Sequence, residues 1–369
     1  KEVWLNESSQ PHDSMEPEDP QEMSNSFSQS RKARLATLLV AVIATTALSA
    51  PVVAQDEESA DSCSGLRIFH TGKWTGFPYF ELAQVGVVEA ADELGDTVTY
   101  GGASEPDTQA QVQTLQNFVA QQPDAIVLAA IDVNAVAPVL EDARAQGIKI
   151  VTYDADAAVQ ARDAFVNQLS YRQAAQVMLD AALENAPEGG QIAYVAASPT
   201  APNHTAHIEN MNDLIATDPK YSVFEAVDTQ YADDDDAKSY DVAINLMQAH
   251  PDLRGIISSS AVSAPAGARA IQAAGREGEV FSTGFALPNA IKSYLEDGSQ
   301  AAFALWDPQE LGYVAAQLAH QLVCGETEVV EGESFTAGKA GDFTYGVDGE
   351  VVYGRPLVFT AENMDDYDF

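Results

Sequence analysis

The sequence predicts an α/β protein of two doubly wound parallel-sheet lobes joined by a hinge, and three observations carry that expectation. From Leu66 onward, short β-branched or apolar runs alternate with amphipathic stretches, the signature of repeated βαβ units. The rhythm closes near Asn167 and begins again near Gln191, so two lobes are indicated. With 369 residues and 46% hydrophobic content, the chain has the length and the apolar material for two cores.

In the first lobe the pattern places strands at 67–70, 98–100, 125–129 and 149–153. Helical patterns lie between them at 80–94, 108–121 and 134–146, closed by Gly95, Pro123 and Gly147. Phe165-Val166-Asn167-Gln168 reads as a crossing segment, followed by a helix to about residue 185. The second lobe has strands at 191–196, 222–226, 255–258, 280–283 and 302–305, with helices at 204–216, 237–249, 265–274 and 289–296. Trp306-Asp307-Pro308 interrupts the pattern, and a helix at 309–323 leads into a Gly-rich, strand-poor segment ending in Pro356-Leu357-Val358-Phe359. The expected division is residues 65–166 with 307–345 in the N-terminal lobe, and 167–306 with 346–369 in the C-terminal lobe. A chain that crosses repeatedly between two such lobes makes a hinge. Ligands of such proteins sit beyond the carboxyl ends of the strands, so function belongs to the strand-to-helix turns.

The first 54 residues read as an address rather than as part of the fold. Arg31, Lys32 and Arg34 precede an apolar run from Leu35 to Leu48, and Val52-Val53-Ala54 supplies a small-residue cleavage box, the order of a secretory signal with cleavage expected after Ala54. That run is shorter than the about 20 residues a membrane-spanning helix needs. The stretch before Met23 is rich in Pro and Glu without periodicity, which makes Met23 a candidate natural start and the stretch itself disordered. An exported periplasmic or secreted product without membrane insertion is therefore expected.

Asp and Glu number 56 against 18 Lys and Arg, a formal net charge of −38. Residues 1–54 hold seven of the acidic and four of the basic residues, so the remainder keeps −35. Such a surface repels phosphate backbones and anionic lipids, which makes nucleic acid and membrane surfaces poor partners. Cys63 and Cys324 are too few for a disulfide scaffold and too far apart in sequence for a zinc or redox pair, leaving one long-range disulfide open in an oxidising compartment.

No phosphate-binding loop, nucleophile elbow or zinc-protease motif occurs, and the glycines near Gly101-Gly102 form no dinucleotide fingerprint. No enzyme, cofactor or metal is expected. His204 and His207 lack an evident third metal ligand, and Asp233–Asp236 reads as a helix cap rather than a calcium loop. What remains is polar and aromatic residues at strand ends: Lys73, Trp74 and Phe77; Asp154 and Asp156; Asn203 and His204; Pro265; Trp306 and Asp307. Carboxylates and amides bind vicinal hydroxyls, and an aromatic face covers the C–H side of a sugar ring, so the combination fits a small polyhydroxylated ligand. Plainer roles are open for some of them: a turn cap for Asp154 and Asp156, hinge core for Trp306, a solvated side chain for Lys73.

Several motifs, in this order and spacing, resemble the periplasmic solute-binding proteins of bacterial ABC importers, in the branch of the rhamnose-binding and autoinducer-2-binding proteins. They are Gly72-Lys73 with Gly76-Phe77, Gly102 through Glu105-Pro106, Tyr153-Asp154-Ala155-Asp156, Asn167-Gln168, Ser198-Pro199-Thr200, Leu305-Trp306-Asp307, and the closing Val358-Phe359, Glu362-Asn363 and Tyr367-Asp368-Phe369. The resemblance spans the chain beyond the signal. It implies the type I periplasmic binding protein fold with a three-segment hinge, a monomer that closes on a sugar-like ligand and delivers it to a membrane permease, and no catalysis. In the autoinducer-binding branch a lysine, an aspartate, an Asp-Gln pair and a Pro-x-Ala turn hold the ligand. Carried over, these fall on Lys73, Asp154, Asn203-His204, and Pro265 with Gly267. Replacement of the Asp-Gln pair removes a negative acceptor and brings in a group that ordinarily titrates near neutrality. Asp307-Pro308 through Leu311-Gly312-Tyr313, Gly325-Glu326-Thr327 and Phe335-Thr336-Ala337-Gly338 look more like the rhamnose-binding members. The expected ligand is thus a monosaccharide such as a deoxysugar, with autoinducer-2 uptake or a chemoreceptor partnership as alternatives.

Overall fold

The computed structural model describes residues 63–369. The leader and signal peptide expected from the sequence, with cleavage after Ala54, lie outside the described residues. Five strands, β1 (Arg67–Thr71), β2 (Thr97–Tyr100), β3 (Ala125–Leu128), β4 (Lys149–Tyr153) and β5 (Ala164–Asn167), alternate with α1 (Pro78–Leu94), α2 (Thr108–Ala120) and α3 (Val133–Ala145). They form one parallel sheet in the order β5-β4-β3-β1-β2. β3 is buried along its whole length, as expected of a strand covered by helices on both faces.

The second lobe repeats the plan with α4 (Tyr171–Asn185), β6 (Gly190–Ala196), α5 (Pro202–Thr217), β7 (Phe224–Tyr231), α6 (Asp236–Ala249), β8 (Leu253–Ser258), α7 (Ser263–Ala274), β9 (Phe281–Gly284), α8 (Pro288–Glu296) and β10 (Phe303–Leu305). Here the parallel order is β7-β6-β8-β9, and a single bridge from Phe285 to Ala304 joins β10 to its edge. The chain then forms α9 (Pro308–Cys324), β11 (Ser334–Thr336), β12 (Asp342–Thr344), β13 (Glu350–Val352) and β14 (Leu357–Phe359).

Three differences from the sequence reading concern where the chain crosses. Phe165-Val166-Asn167, expected to be crossing backbone, is the buried strand β5, and the crossing begins after it. The segment expected to be strand-poor contains the antiparallel pair β11 and β12, and then β13. β13 adds in parallel to β5, with Glu350 opposite Phe165, so residues 346–352 belong with the first sheet rather than the second. Side chains hold them there: Asn167 Nδ2 donates to Glu350 Oε1 at 2.6 Å and Arg162 Nη1 to the Asp348 carbonyl at 2.6 Å. The third crossing therefore lies between Val352 and Leu357, where β14 pairs antiparallel with β10.

Helices α1 and α9 touch through their backbones. A Cβ on Gly86 would sit 1.8 Å from the Gln309 carbonyl oxygen, and one on Gly312 would sit 2.2 Å from that of Ala83. Only glycine permits that approach, and it holds the start of α1, with Tyr79, beside the start of α9, which follows Trp306. The far end of α9 is tied by a disulfide between Cys324 and Cys63, their Cα atoms 5.9 Å apart and 261 residues apart in sequence. Beside it the buried His320 donates from Nδ1 to Asp96 Oδ2 at 2.6 Å, while Asp96 Oδ1 accepts the Leu66 amide at 3.0 Å. The start of β1 is thus anchored both covalently and through buried polar bonds. Because the bridge closes so long a loop, Cys324→Ser should lower unfolding free energy by about 2–4 kcal/mol in urea titration, and an unchanged midpoint would show that it constrains little.

Candidate functional site

One cavity, partly open to solvent, lies where the carboxyl ends of the strands in both sheets meet. The first lobe lines it with Lys73, Trp74, Phe77, Tyr79, Phe80 and Asp154. The second contributes Asn203, His204, Asp234, the run Ser259–Val262 and Phe285, with Leu305 and Trp306 from the strand leading into the hinge.

Lys73 follows β1 and Asp154 follows β4, two strands separated by β3 in the first sheet, and both are almost fully buried. Lys73 Nζ lies 3.3 Å from Asp154 Oδ2. Tyr79, delivered by the first turn of α1, donates its hydroxyl proton to Asp154 Oδ1 at 3.0 Å and accepts from Trp306 Nε1–H at 2.8 Å. Burial, with the neighbouring Asp154 charge, keeps the Tyr79 hydroxyl protonated far above its usual range. Asp154 also has φ of 59°, a left-handed conformation that a non-glycine residue adopts at a cost of about 1–3 kcal/mol and that recurs at binding sites.

On the opposite wall, the first turn of α5 presents Asn203 and His204, both buried. The Ala197 amide donates to His204 Nδ1 at 3.1 Å, which puts the ring proton on Nε2 and makes that nitrogen a donor. Burial, reinforced by the Lys73 charge, holds the His204 pKa well below its ordinary value. The expected near-neutral titration is therefore overturned. Asn203 Oδ1, Asp234 Oδ1 and Ser259 Oγ are sealed from solvent with no partner within the protein. Phe285 and Trp306 meet edge to face at 4.7 Å between centroids, and Trp74 stacks on Phe77 at 5.1 Å, so the polar groups are framed by aromatic walls.

Of the ten residues proposed from sequence, seven line this cavity: Lys73, Trp74, Phe77, Asp154, Asn203, His204 and Trp306. Three lie elsewhere. Asp156 is held by its own lobe, in a bidentate pair with Arg162 at 2.6 and 2.8 Å, with further bonds from the Thr152 hydroxyl and the Ala157 amide. Asp307 caps α9, accepting the Gln309 and Glu310 amides at 2.9 and 3.2 Å. Pro265 lies on α7 and faces an outer groove, while the strand-end run Ser259–Ala261 reaches the cavity in its place. Tyr79, Asp234 and Ser259 were missed, although each stands at a strand-to-helix junction.

A family model described as a periplasmic binding protein domain matches residues 68–327. The chain belongs to this family. The crystal structure of a sugar ABC transporter protein from Actinomyces odontolyticus is 40% identical, with a TM-score of 0.69, covering 84% of this chain and 99% of that one. A solute-binding protein from Clostridium phytofermentas with bound L-rhamnose is 28% identical with a TM-score of 0.78, covering 83% and 98% of the two chains. LsrB from Clostridium saccharobutylicum in complex with AI-2 is 25% identical with a TM-score of 0.76, covering 82% and 100%. The binding protein thus has the type I fold read from its motifs, and its kin are sugar-binding components of transporters rather than enzymes. No described helix is long and apolar enough to cross a membrane.

The wall behind Asp154 is itself pH-sensitive. His70 on β1 contacts Gln84 Oε1 through Nδ1 at 2.5 Å and Tyr153 through Nε2 at 2.9 Å, and burial lowers its pKa to about 4 against the opposing Gln84 bond. Between pH 6.5 and about 4 the unfolded chain then binds a proton that the folded chain does not, so acidification across that window costs on the order of 3 kcal/mol at this residue. Urea titrations at neutral pH and near the lower end of the window should show His70→Asn losing less stability on acidification than wild type; equal losses would remove His70 as the cause.

Proposed function

We propose that this is the exported binding component of an ABC importer, capturing a monosaccharide in its interlobe cavity and delivering it to a membrane permease. The observation that carries this reading is that two lobes converge on one cavity with opposed polar groups: Lys73 and Asp154 on one side, Asn203 and His204 on the other. A ligand hydrogen-bonded to both walls binds the closed form better than the open one, and that difference in affinity drives closure. The basic-apolar-small order of residues 31–54 supports export.

Within the sugars, a deoxysugar such as rhamnose is favoured. Phe285, Leu305 and Trp306 give the cavity an apolar wall suited to a methyl group and ring C–H bonds, opposite its carboxylates and amide. Retention of Lys73 and Asp154 keeps autoinducer-2 as the second reading, weakened by the neutral Asn203-His204 pair.

A thermal-shift screen of L-rhamnose, D-ribose, D-allose and autoinducer-2 tests the class, since a ligand of the native state raises its melting point. L-rhamnose should give the largest shift; no shift with any of them would overturn the reading. For the sugar that does bind, Asp154→Ala should cost about 1–3 kcal/mol in calorimetric affinity by stranding a buried ligand hydroxyl, and unchanged affinity would remove Asp154 from the site.

A further inference from the structure

Three charged side chains line the cavity, and only two of them answer each other. Lys73 and Asp154 pair at 3.3 Å, and the other Asp154 oxygen takes the Tyr79 hydroxyl. Asp234 is left over. Its Oδ1 is shielded from solvent and has no partner in the protein. Burial pushes its carboxyl pKa up, against the pull of Lys73 and a bond from the Ser260 side chain. With Lys73 paired to Asp154, Asp234 is the acidic group of the cavity that has no basic partner there.

The backbone goes out of its way to deliver this carboxylate. Asp233 and Asp234 have φ of 54° and 53°, two successive left-handed non-glycine residues between β7 and α6. Capping α6 does not require that, because Asp235 is the cap, accepting the Lys238 amide at 2.7 Å. Asp233 is occupied in an ion pair with Lys238. Strain held at a turn whose other members already have structural roles points to a task for Asp234. It also stands where the cavity, the outer groove beside Pro265 and a recess beside Ser198 and Thr200 meet, so an entering ligand passes it.

We propose that Asp234 sets the charge class of the ligand: its carboxylate accepts hydroxyl protons from a neutral sugar and turns away sugars bearing a carboxylate or a phosphate. This rests on the sugar-binding reading above. It also accounts for the exchange of the Asp-Gln pair for Asn203-His204, since the negative acceptor lost from the start of α5 is supplied from the β7–α6 turn. An anionic sugar entering the closed cavity would face Asp234 with no free cation to meet it, because Lys73 is already engaged by Asp154.

The test uses the whole protein and its Asp234→Asn variant, followed by thermal shift and calorimetry. The probes are L-rhamnose, D-ribose and D-galactose, set against D-galacturonate and D-ribose 5-phosphate. In wild type a neutral sugar should bind and its acidic counterparts should not. Asp234→Asn should weaken the neutral sugar at least tenfold and narrow its preference over the acids, with the ligand-free melting point unchanged or raised. Wild-type affinity in the variant, or an acid bound as tightly as its neutral parent by wild type, overturns the inference while leaving the sugar reading intact. A ligand-free variant that melts well below wild type also overturns it, by making Asp234 a structural residue. Failure of every neutral sugar to bind wild type overturns the sugar reading itself, and this inference with it.

Discussion

The site depends on a single run of contacts, from Trp306 through Tyr79 to Asp154 and on to Lys73. The Trp306 indole donates to the Tyr79 hydroxyl, the hydroxyl donates to Asp154, and the second oxygen of Asp154 faces Lys73. Each member consumes the capacity of the next, so the Lys73–Asp154 pair can be buried without an orphaned charge. Since Trp306 leaves the second lobe and Tyr79 belongs to the first, the same chain of bonds links the two lobes at the hinge side. The glycine contacts between α1 and α9 serve it by fixing the helix starts from which Tyr79 and Trp306 project.

That constraint divides the cavity into a part the protein satisfies and a part it leaves for a ligand. Asp154 is pre-oriented, whereas Asn203, Asp234 and Ser259 retain unpaired oxygens and His204 retains a free donor. Pre-organised polar groups in an aromatic-walled space favour recognition of a hydroxylated molecule, and nothing among them is arranged as a nucleophile with its base. The acidic exterior acts separately. Most of its ion pairs, such as Arg172 with Asp213, are exposed and contribute little to stability, so the excess of carboxylates bears on solubility more than on the fold.

Much of this was legible in the sequence because the features concerned are local. Apolar runs such as Ala125–Leu128 and the Asp-Pro start of α9 declare themselves through periodicity and capping chemistry. Lys73, Asp154, Asn203 and His204 stand at strand ends, where a doubly wound fold puts its ligand residues. What stayed hidden was tertiary. β13 is three residues long and recognisable only by its register on β5. Asp156 looked equivalent to Asp154 until Arg162, six residues on, folded back to claim both its oxygens. Asp307 reads as a cap once α9 is seen to begin at Pro308. Asp234 was masked by its neighbours: in a run of four aspartates the capping role is genuine, but it belongs to Asp235.

The most direct test of the account is a crystal structure grown with the neutral sugar that most raises the melting point, read for where that sugar sits. The account predicts density for one ring between Asp154 and Asn203, within hydrogen-bond reach of Lys73 on one wall and of His204 Nε2 on the other, with Trp306 or Phe285 against its C–H face. A sugar bound outside this cavity, or touching one lobe alone, would contradict it.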